Sequence, residues 1–93
     1  MNRTVRVVIE GGVQGVGYRA WVEAEAIARG LSGWVRNRRD GTVEAAFKGD
    51  RARVEAMIAA CRAGPRLARV ENVNVADVEP DEVLAGFRVM PTA

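Results

Sequence analysis

The chain has 93 residues and a formal net charge of +2, so it is long enough to form one small domain but not two. Its single cysteine excludes an internal disulfide, and the absence of histidine removes the commonest general base and the commonest metal ligand. No apolar run approaches the length of a transmembrane helix, and the N-terminus lacks the pattern of a signal peptide. We therefore expect residues 1–93 to form a single cytoplasmic domain without a zinc site.

The first predicted elements are a strand and a helix. Val5, Val7 and Ile9 recur at every second position, which is typical of a strand with one buried face. Residues 19–29 are rich in alanine and glutamate and predict a helix. Gly30 follows at the position where a glycine commonly ends one.

A hairpin is predicted over residues 33–48. Its two arms flank Asp40-Gly41, a dipeptide that strongly indicates a tight hairpin turn. The apolar residues of the second arm share one face: Val43, Ala45 and Phe47.

A second helix is predicted between Asp50, which is typical of a helix N-cap, and Gly64-Pro65, which is typical of a helix end. Between them an apolar stripe recurs at helical spacing: Val54, Met57, Ile58 and Cys61. The position of Cys61 on this stripe predicts a buried thiol rather than a reactive one.

Two further strands complete the chain. Val70, Val73 and Val75 predict a fourth strand, and the change of spacing after Val70 is compatible with a bulge. Phe87 and Val89 predict a short fifth strand. The order β-α-β-β-α-β-β predicts the ferredoxin-like α+β sandwich, an antiparallel sheet with two helices on one face.

Between the first strand and the first helix, residues 11–19 read GGVQGVGYR. Such a loop offers unpaired main-chain N–H groups at a helix N-terminus, where the helix dipole favours an anion. Arg19 can add a clamp on two phosphate oxygens, and the loop contains no Ser, Cys, His, Asp or Glu as a catalyst. Because glycine-rich turns are common between a strand and a helix, the loop alone leaves phosphate binding and a plain turn both open.

Three known kinds of phosphate site do not fit this loop. A P-loop requires Lys and Ser or Thr where Tyr18 and Arg19 stand. The dinucleotide pattern G-x-G-x-x-[GA] is present, but its candidate acidic residue, Asp40, lies in the hairpin turn, and the chain is too short for a doubly wound sheet. A cysteine phosphatase would need its nucleophile at Val13.

The hairpin carries one residue of a type depleted in strands, Asn37. Taken alone, it either supports the turn or has a functional role. Together, VQGVGYR and the later GWVRNRRDGTVE resemble the two hallmark motifs of the acylphosphatase family, whose members hydrolyse carboxyl-phosphate anhydrides. The similarity covers residues 5–90, with one departure at Gly12, where many members carry a basic residue.

The resemblance implies roles for individual residues. It implies that a loop binds the phosphoryl group of a small acyl phosphate, and the loop consists of Gln14, Gly15, Val16, Gly17, Tyr18 and Arg19. Arg19 would be the phosphate-binding catalytic arginine, and Asn37 would hold the attacking water. No cofactor and no metal is implied, because the guanidinium and the N–H groups offset the charge of the phosphoryl group.

A second function stays open, namely a domain of the same fold that binds phosphate or an acyl phosphate without catalysis. RNA binding is disfavoured, because the RNP motif is absent and five aromatic residues are too few for a stacking surface. We expect a monomer with a small-molecule substrate and with no nucleic-acid or membrane partner.

Overall fold

The computed structural model describes every residue from 1 to 93. The strands and helices follow in the predicted order: β1 (Asn2–Gly12), α1 (Tyr18–Ala28), β2 (Ser32–Asn37), β3 (Val43–Asp50), α2 (Arg51–Ala63), β4 (Arg69–Asp77) and β5 (Phe87–Val89), with a short 3-10 helix (Pro80–Glu82) between β4 and β5. β1 extends beyond the strand predicted from its apolar residues, because it pairs with β3 along one side and with β4 along the other.

The five strands form one sheet in the order β4-β1-β3-β2-β5. β1 pairs antiparallel with β3 and β4, and β2 pairs antiparallel with β3. β5, however, is parallel to β2. The predicted ferredoxin-like α+β arrangement is confirmed, but the sheet is mixed, and its last strand departs from the antiparallel pattern that we expected.

The parallel pairing of β5 follows from the path of the chain after β4. The connection runs along one end of the sheet, where the Val78 N–H donates to Thr4 O at the start of β1 (3.0 Å). Further along, the Gly33 N–H at the start of β2 donates to Gly86 O (2.9 Å). A chain that crosses here enters β5 from the end at which β2 begins, so the two strands run in the same direction.

The core lies between the helices and one face of the sheet. The apolar residues predicted for the first strand, the second hairpin arm and the α2 stripe are buried: Val5, Val7, Ile9, Val43, Ala45, Phe47, Val54, Met57, Ile58 and Cys61. Those predicted for the last two strands are only half-buried, and Val89 is 42% exposed. α1 adds Tyr18, Val22 and Ala26. The predicted burial of the Cys61 thiol is therefore confirmed.

β4 contains a bulge, in agreement with the change of spacing between Val70 and Val73. Glu10 of β1 pairs with Asn72, but the next residue of β1 pairs with Val70. Glu71 therefore has no partner on β1, and the extra residue restores the parity between Val70 and Val73. Both valines are half-buried and pack against the core.

The ends of α2 agree with the sequence. The Asp50 carboxylate accepts a hydrogen bond from the Ala52 N–H (3.2 Å), as an N-cap does, and Gly64 ends the helix. α1 begins one residue earlier than predicted, at Tyr18, and Gly30 follows its end as expected.

Candidate active site

Strand direction brings the two sequence motifs together. β1 and β2 flank β3 and run antiparallel to it, so both end at the same edge of the sheet. The glycine-rich loop follows β1, and Asn37 is the last residue of β2. Between them lies a cleft of about 270 Å³, a size suited to a small molecule. Its lining consists of Val13, Gly15, Gly17, Tyr18, Arg19, Ala20, Glu23, Asn37 and Val89.

The loop and the start of α1 present a row of unused main-chain donors. None of the N–H groups of residues 14–20 donates to a main-chain acceptor, and no side chain caps the helix at Gly17. α2, in comparison, is capped by Asp50. Free donors at the positive end of a helix dipole favour an anion, and this is the arrangement on which the predicted phosphate site depends.

Two glycines give the loop its curvature. Gly15 and Gly17 have φ of 75° and 76°, in the left-handed region that glycine adopts without a steric cost. A Cβ added at either position would meet no atom within 4 Å. The loop therefore requires glycine here for backbone conformation and not for space.

Arg19 stands in the first turn of α1 and lines the cleft with a half-buried side chain. It takes part in none of the ion pairs of the structure. Arg36 on the neighbouring hairpin is different, since Glu44 holds it at 2.7 Å. The guanidinium of Arg19 is thus available for the oxygens of an anion.

Asn37 lines the cleft from the end of β2. Its side-chain Oδ1 is the one buried side-chain polar atom without a hydrogen-bond partner in the protein. Leaving a buried amide oxygen unpaired costs about 1–3 kcal/mol. An atom of this kind marks a position where a bound molecule can donate a hydrogen bond.

Gln14 faces the hairpin and not the cleft. Its side-chain Nε2 donates to Arg38 O (2.7 Å) and to Thr42 O (2.8 Å). Both amide hydrogens are used in these bonds. Only the main-chain N–H of Gln14 is therefore free to contribute to an anion site.

Tyr18 and Val16 attach the loop to the core. The Tyr18 side chain is 1% exposed, and its hydroxyl donates to Cys61 O (3.0 Å). Val16 packs partly buried against the core and does not line the cleft. Burial raises the pKa of Tyr18 and raises the pKa of the Cys61 thiol to about 12, so neither group is ionised at neutral pH.

The turn beyond Asn37 is organised by Asp40. Its carboxylate accepts hydrogen bonds from the Thr42 hydroxyl (2.6 Å) and from the Thr42 N–H (3.0 Å). These bonds hold the pKa of Asp40 below its usual value. The carboxylate stabilises the hairpin turn, in keeping with its rejection as part of a dinucleotide site.

Four lining residues are absent from the sequence-based prediction: Val13, Ala20, Glu23 and Val89. Glu23 had a usable signal, because it follows Arg19 by four positions on a helix and therefore shares its face. Val89 had none, since its place depends on the parallel pairing of β5.

The structure contains no group of three or more His, Cys, Asp or Glu side chains that could hold a metal ion. None of its helices combines the length and the apolarity that crossing a bilayer requires.

Two helices on one face of a five-stranded sheet define a ferredoxin-like α+β protein, and its cleft has the features of an anion-binding site. A family model described as acylphosphatase matches residues 5–89. The chain is 54% identical over 92 residues to an acylphosphatase of Azorhizobium caulinodans, with 99% of each chain covered. The crystal structure of acylphosphatase from Bacillus subtilis matches with a TM-score of 0.90 and 33% identity, covering 97% of this chain and 99% of that one. The chain belongs to the acylphosphatase family, and its function is that of an acylphosphatase.

A further similarity is to part of a larger protein. Full-length HypF, in a phosphate- and nucleotide-bound form, matches with a TM-score of 0.89 and 26% identity. The match covers 99% of this chain but 12% of HypF. A domain of this fold therefore also occurs within a much longer chain.

Proposed function

We propose that the cleft hydrolyses the carboxyl-phosphate bond of small acyl phosphates, with the phosphoryl group on the loop Gln14–Arg19 and the attacking water on Asn37. The observation that carries the proposal is that one cleft combines three kinds of unpartnered polar group. They are a row of free N–H groups, an arginine without an ion pair and a buried carboxamide oxygen without a donor. Each of them matches one requirement of the reaction.

The loop and Arg19 bind the transferred group. Free main-chain N–H groups donate to the phosphoryl oxygens, and the guanidinium of Arg19 spans two of them. Hydrogen bonds to a charged group contribute about 1.5–3 kcal/mol each, and those aimed at the equatorial oxygens stabilise the transition state. The loop itself contains no nucleophile, and in the proposed scheme the phosphoryl group passes directly to water.

Asn37 orients the water, since a carboxamide both accepts and donates hydrogen bonds. The bond from the water oxygen to phosphorus forms as the bond to the acyl oxygen breaks, which yields a carboxylate and inorganic phosphate. The carboxylate has a low pKa and leaves without a general acid. A carboxamide is too weak a base to take the water proton, and in the proposed scheme a phosphoryl oxygen of the substrate accepts it. These steps use no metal and no cofactor.

We also propose that residues 1–93 act as a single domain and as a cytoplasmic monomer. Loop, arginine and carboxamide all come from one chain, which supports a complete site in the monomer. The one cysteine is free and buried, which is compatible with a reducing compartment.

Arg19→Lys tests the assignment, with hydrolysis of benzoyl phosphate followed in excess EDTA. We expect kcat/KM to fall at least about 100-fold, because an ammonium cannot span two oxygens although it keeps the charge. Arg66→Lys is the matched control, since Arg66 is exposed and forms no ion pair, and it should retain the wild-type rate. Wild-type kinetics in Arg19→Lys, or loss of activity in EDTA, would contradict the mechanism.

The same assay decides between hydrolysis and binding without catalysis. A wild-type protein that binds inorganic phosphate but releases none from benzoyl phosphate would be a binding module.

A further inference from the structure

The side chain of Gln14 connects the glycine-rich loop to the β2–β3 hairpin at the two residues that flank its turn. Its Nε2 donates to Arg38 O at 2.7 Å and to Thr42 O at 2.8 Å. Arg38 and Thr42 also face each other across the hairpin, because the Arg38 N–H donates to Thr42 O (2.9 Å). Arg38 directly follows Asn37, so the side chain of Gln14 ties the first residue of the loop to the residue next to the candidate water ligand.

The rest of the loop has no other polar attachment on this side. No main-chain N–H or C=O group of residues 13–16 takes part in a main-chain hydrogen bond. Val13 and Val16 attach the loop to the core through apolar packing, which is not directional. The two bonds of Gln14 are therefore the directional contacts that fix the loop against the hairpin.

These bonds are not needed to satisfy the hairpin. Arg38 O also accepts from the Gly41 N–H (3.1 Å), and Thr42 O also accepts from the Arg38 N–H. Removing the Gln14 amide would leave neither carbonyl without a partner, so the largest cost of losing a hydrogen bond does not arise. The Gln14 hydrogen bonds are therefore better suited to setting the distance between the loop and the hairpin than to stabilising the fold.

We infer that Gln14 is a positioning residue that sets the distance between the phosphoryl group on the loop and the water on Asn37. The inference rests on the proposed function. In-line attack requires the reacting atoms to lie about 3–3.5 Å apart, and a displacement of about 1 Å can lower the rate about 100-fold. A shift of the loop against the hairpin changes this distance without removing any group that binds phosphate.

Gln14→Met tests the inference, because methionine has a similar length and no hydrogen-bond donor. We expect kcat for benzoyl phosphate to fall about 10- to 100-fold, while the competitive Ki of inorganic phosphate stays within about threefold. Asn74→Leu is the matched control, since it removes a 2.8 Å amide bond to Glu10 away from the cleft and should leave both constants unchanged. An unchanged kcat in Gln14→Met would overturn the inference, and a parallel loss of phosphate affinity would make Gln14 a phosphate ligand instead.

A second readout does not depend on catalysis, so failure of the proposed hydrolysis can be told apart from failure of the inference. In wild-type protein titrated with inorganic phosphate, we expect NMR amide signals of Arg38 and Thr42 to shift together with those of Gly15 and Gly17. In Gln14→Met, and in Gln14→Ala should the first variant not fold, the loop signals should still shift while the hairpin signals no longer do. Equal hairpin shifts in the variants would overturn the inference.

Discussion

At the scale of single residues, the site is distinguished by missing partners and not by unusual side chains. Arg19 is half-buried and has no ion pair, whereas the half-buried Arg36 is held by a carboxylate of β3 at 2.7 Å. The other arginines without an ion pair are all exposed. Asn72 is exposed on the sheet surface, where water can satisfy its side-chain oxygen, whereas the side-chain oxygen of Asn37 is buried without a donor. Residue type is visible in the sequence and pairing is not, so the loop and the hairpin, each taken alone, left their roles open.

Two buried acidic groups outside the reaction give the protein an alkaline limit of stability. Burial raises the pKa of Cys61 from 9.0 to about 12 and raises the pKa of Tyr18 as well. At a pH between the unfolded and the folded pKa of such a group, the unfolded chain has released a proton that the folded protein still holds. The free energy of unfolding therefore decreases as the pH rises. This contribution is complete below about pH 8 and is lost progressively above about pH 9.

Urea unfolding between pH 7 and pH 11 checks this prediction. We expect the midpoint to fall above about pH 9 in wild type and to fall less steeply in Cys61→Ala, which lacks one of the two groups. The comparison concerns slopes, so a lower stability of the variant at neutral pH does not affect it. Identical slopes would show that Cys61 does not contribute.

At the scale of elements, the two helices differ in how their first turns are satisfied. The N-cap residue of α2 is Asp50, whose carboxylate accepts from the Ala52 N–H. The N-cap residue of α1 is Gly17, which has the left-handed conformation and offers no side-chain cap. The first turn of α1 contains no acidic residue and has an arginine instead. A carboxylate would compete with a bound anion for the same donors, so the missing cap keeps the site open.

An anion should therefore act as the missing cap of α1. At ten times its Kd, inorganic phosphate should raise the free energy of unfolding by about 1.4 kcal/mol and the Tm by roughly 6 to 11 °C. Thermal unfolding in phosphate, compared with chloride at equal ionic strength, measures the effect. Asp50→Gly on α2 should keep the full shift and Arg19→Met should lose most of it; an equal shift in both variants would contradict the assignment.

At the scale of the whole molecule, much of the fold could be predicted because local patterns specify it. Three features of the fold have short-range sequence signals, and the structure contains all of them. They are the helical stripe from Val54 to Cys61, the Asp40-Gly41 turn and the extra residue of β4. The direction of β5 has no such signal, since it depends on how the connection crosses one end of the sheet. The contacts of Gln14 were missed for a similar reason, because a motif gives a residue type and not the direction of its side chain.

The chain path also assigns the two halves of the site to different elements. The proposed phosphate loop belongs to the β1–α1 connection and Asn37 to the end of β2, and the sheet brings them to one edge. Phosphate binding and water orientation are then separable functions. Loss of the carboxamide should leave the phosphate loop and Arg19 in place.

The most direct measurement is the steady-state kinetics of Asn37→Ala with benzoyl phosphate, together with the competitive Ki of inorganic phosphate. We expect kcat to fall at least about 100-fold while Ki stays within about threefold, because the water loses its ligand and the anion does not. Asn72→Ala removes an exposed asparagine of β4 and should match wild type in both constants. A wild-type kcat in Asn37→Ala, or a Ki that rises in parallel with the loss of kcat, would contradict the assignment of the water to Asn37.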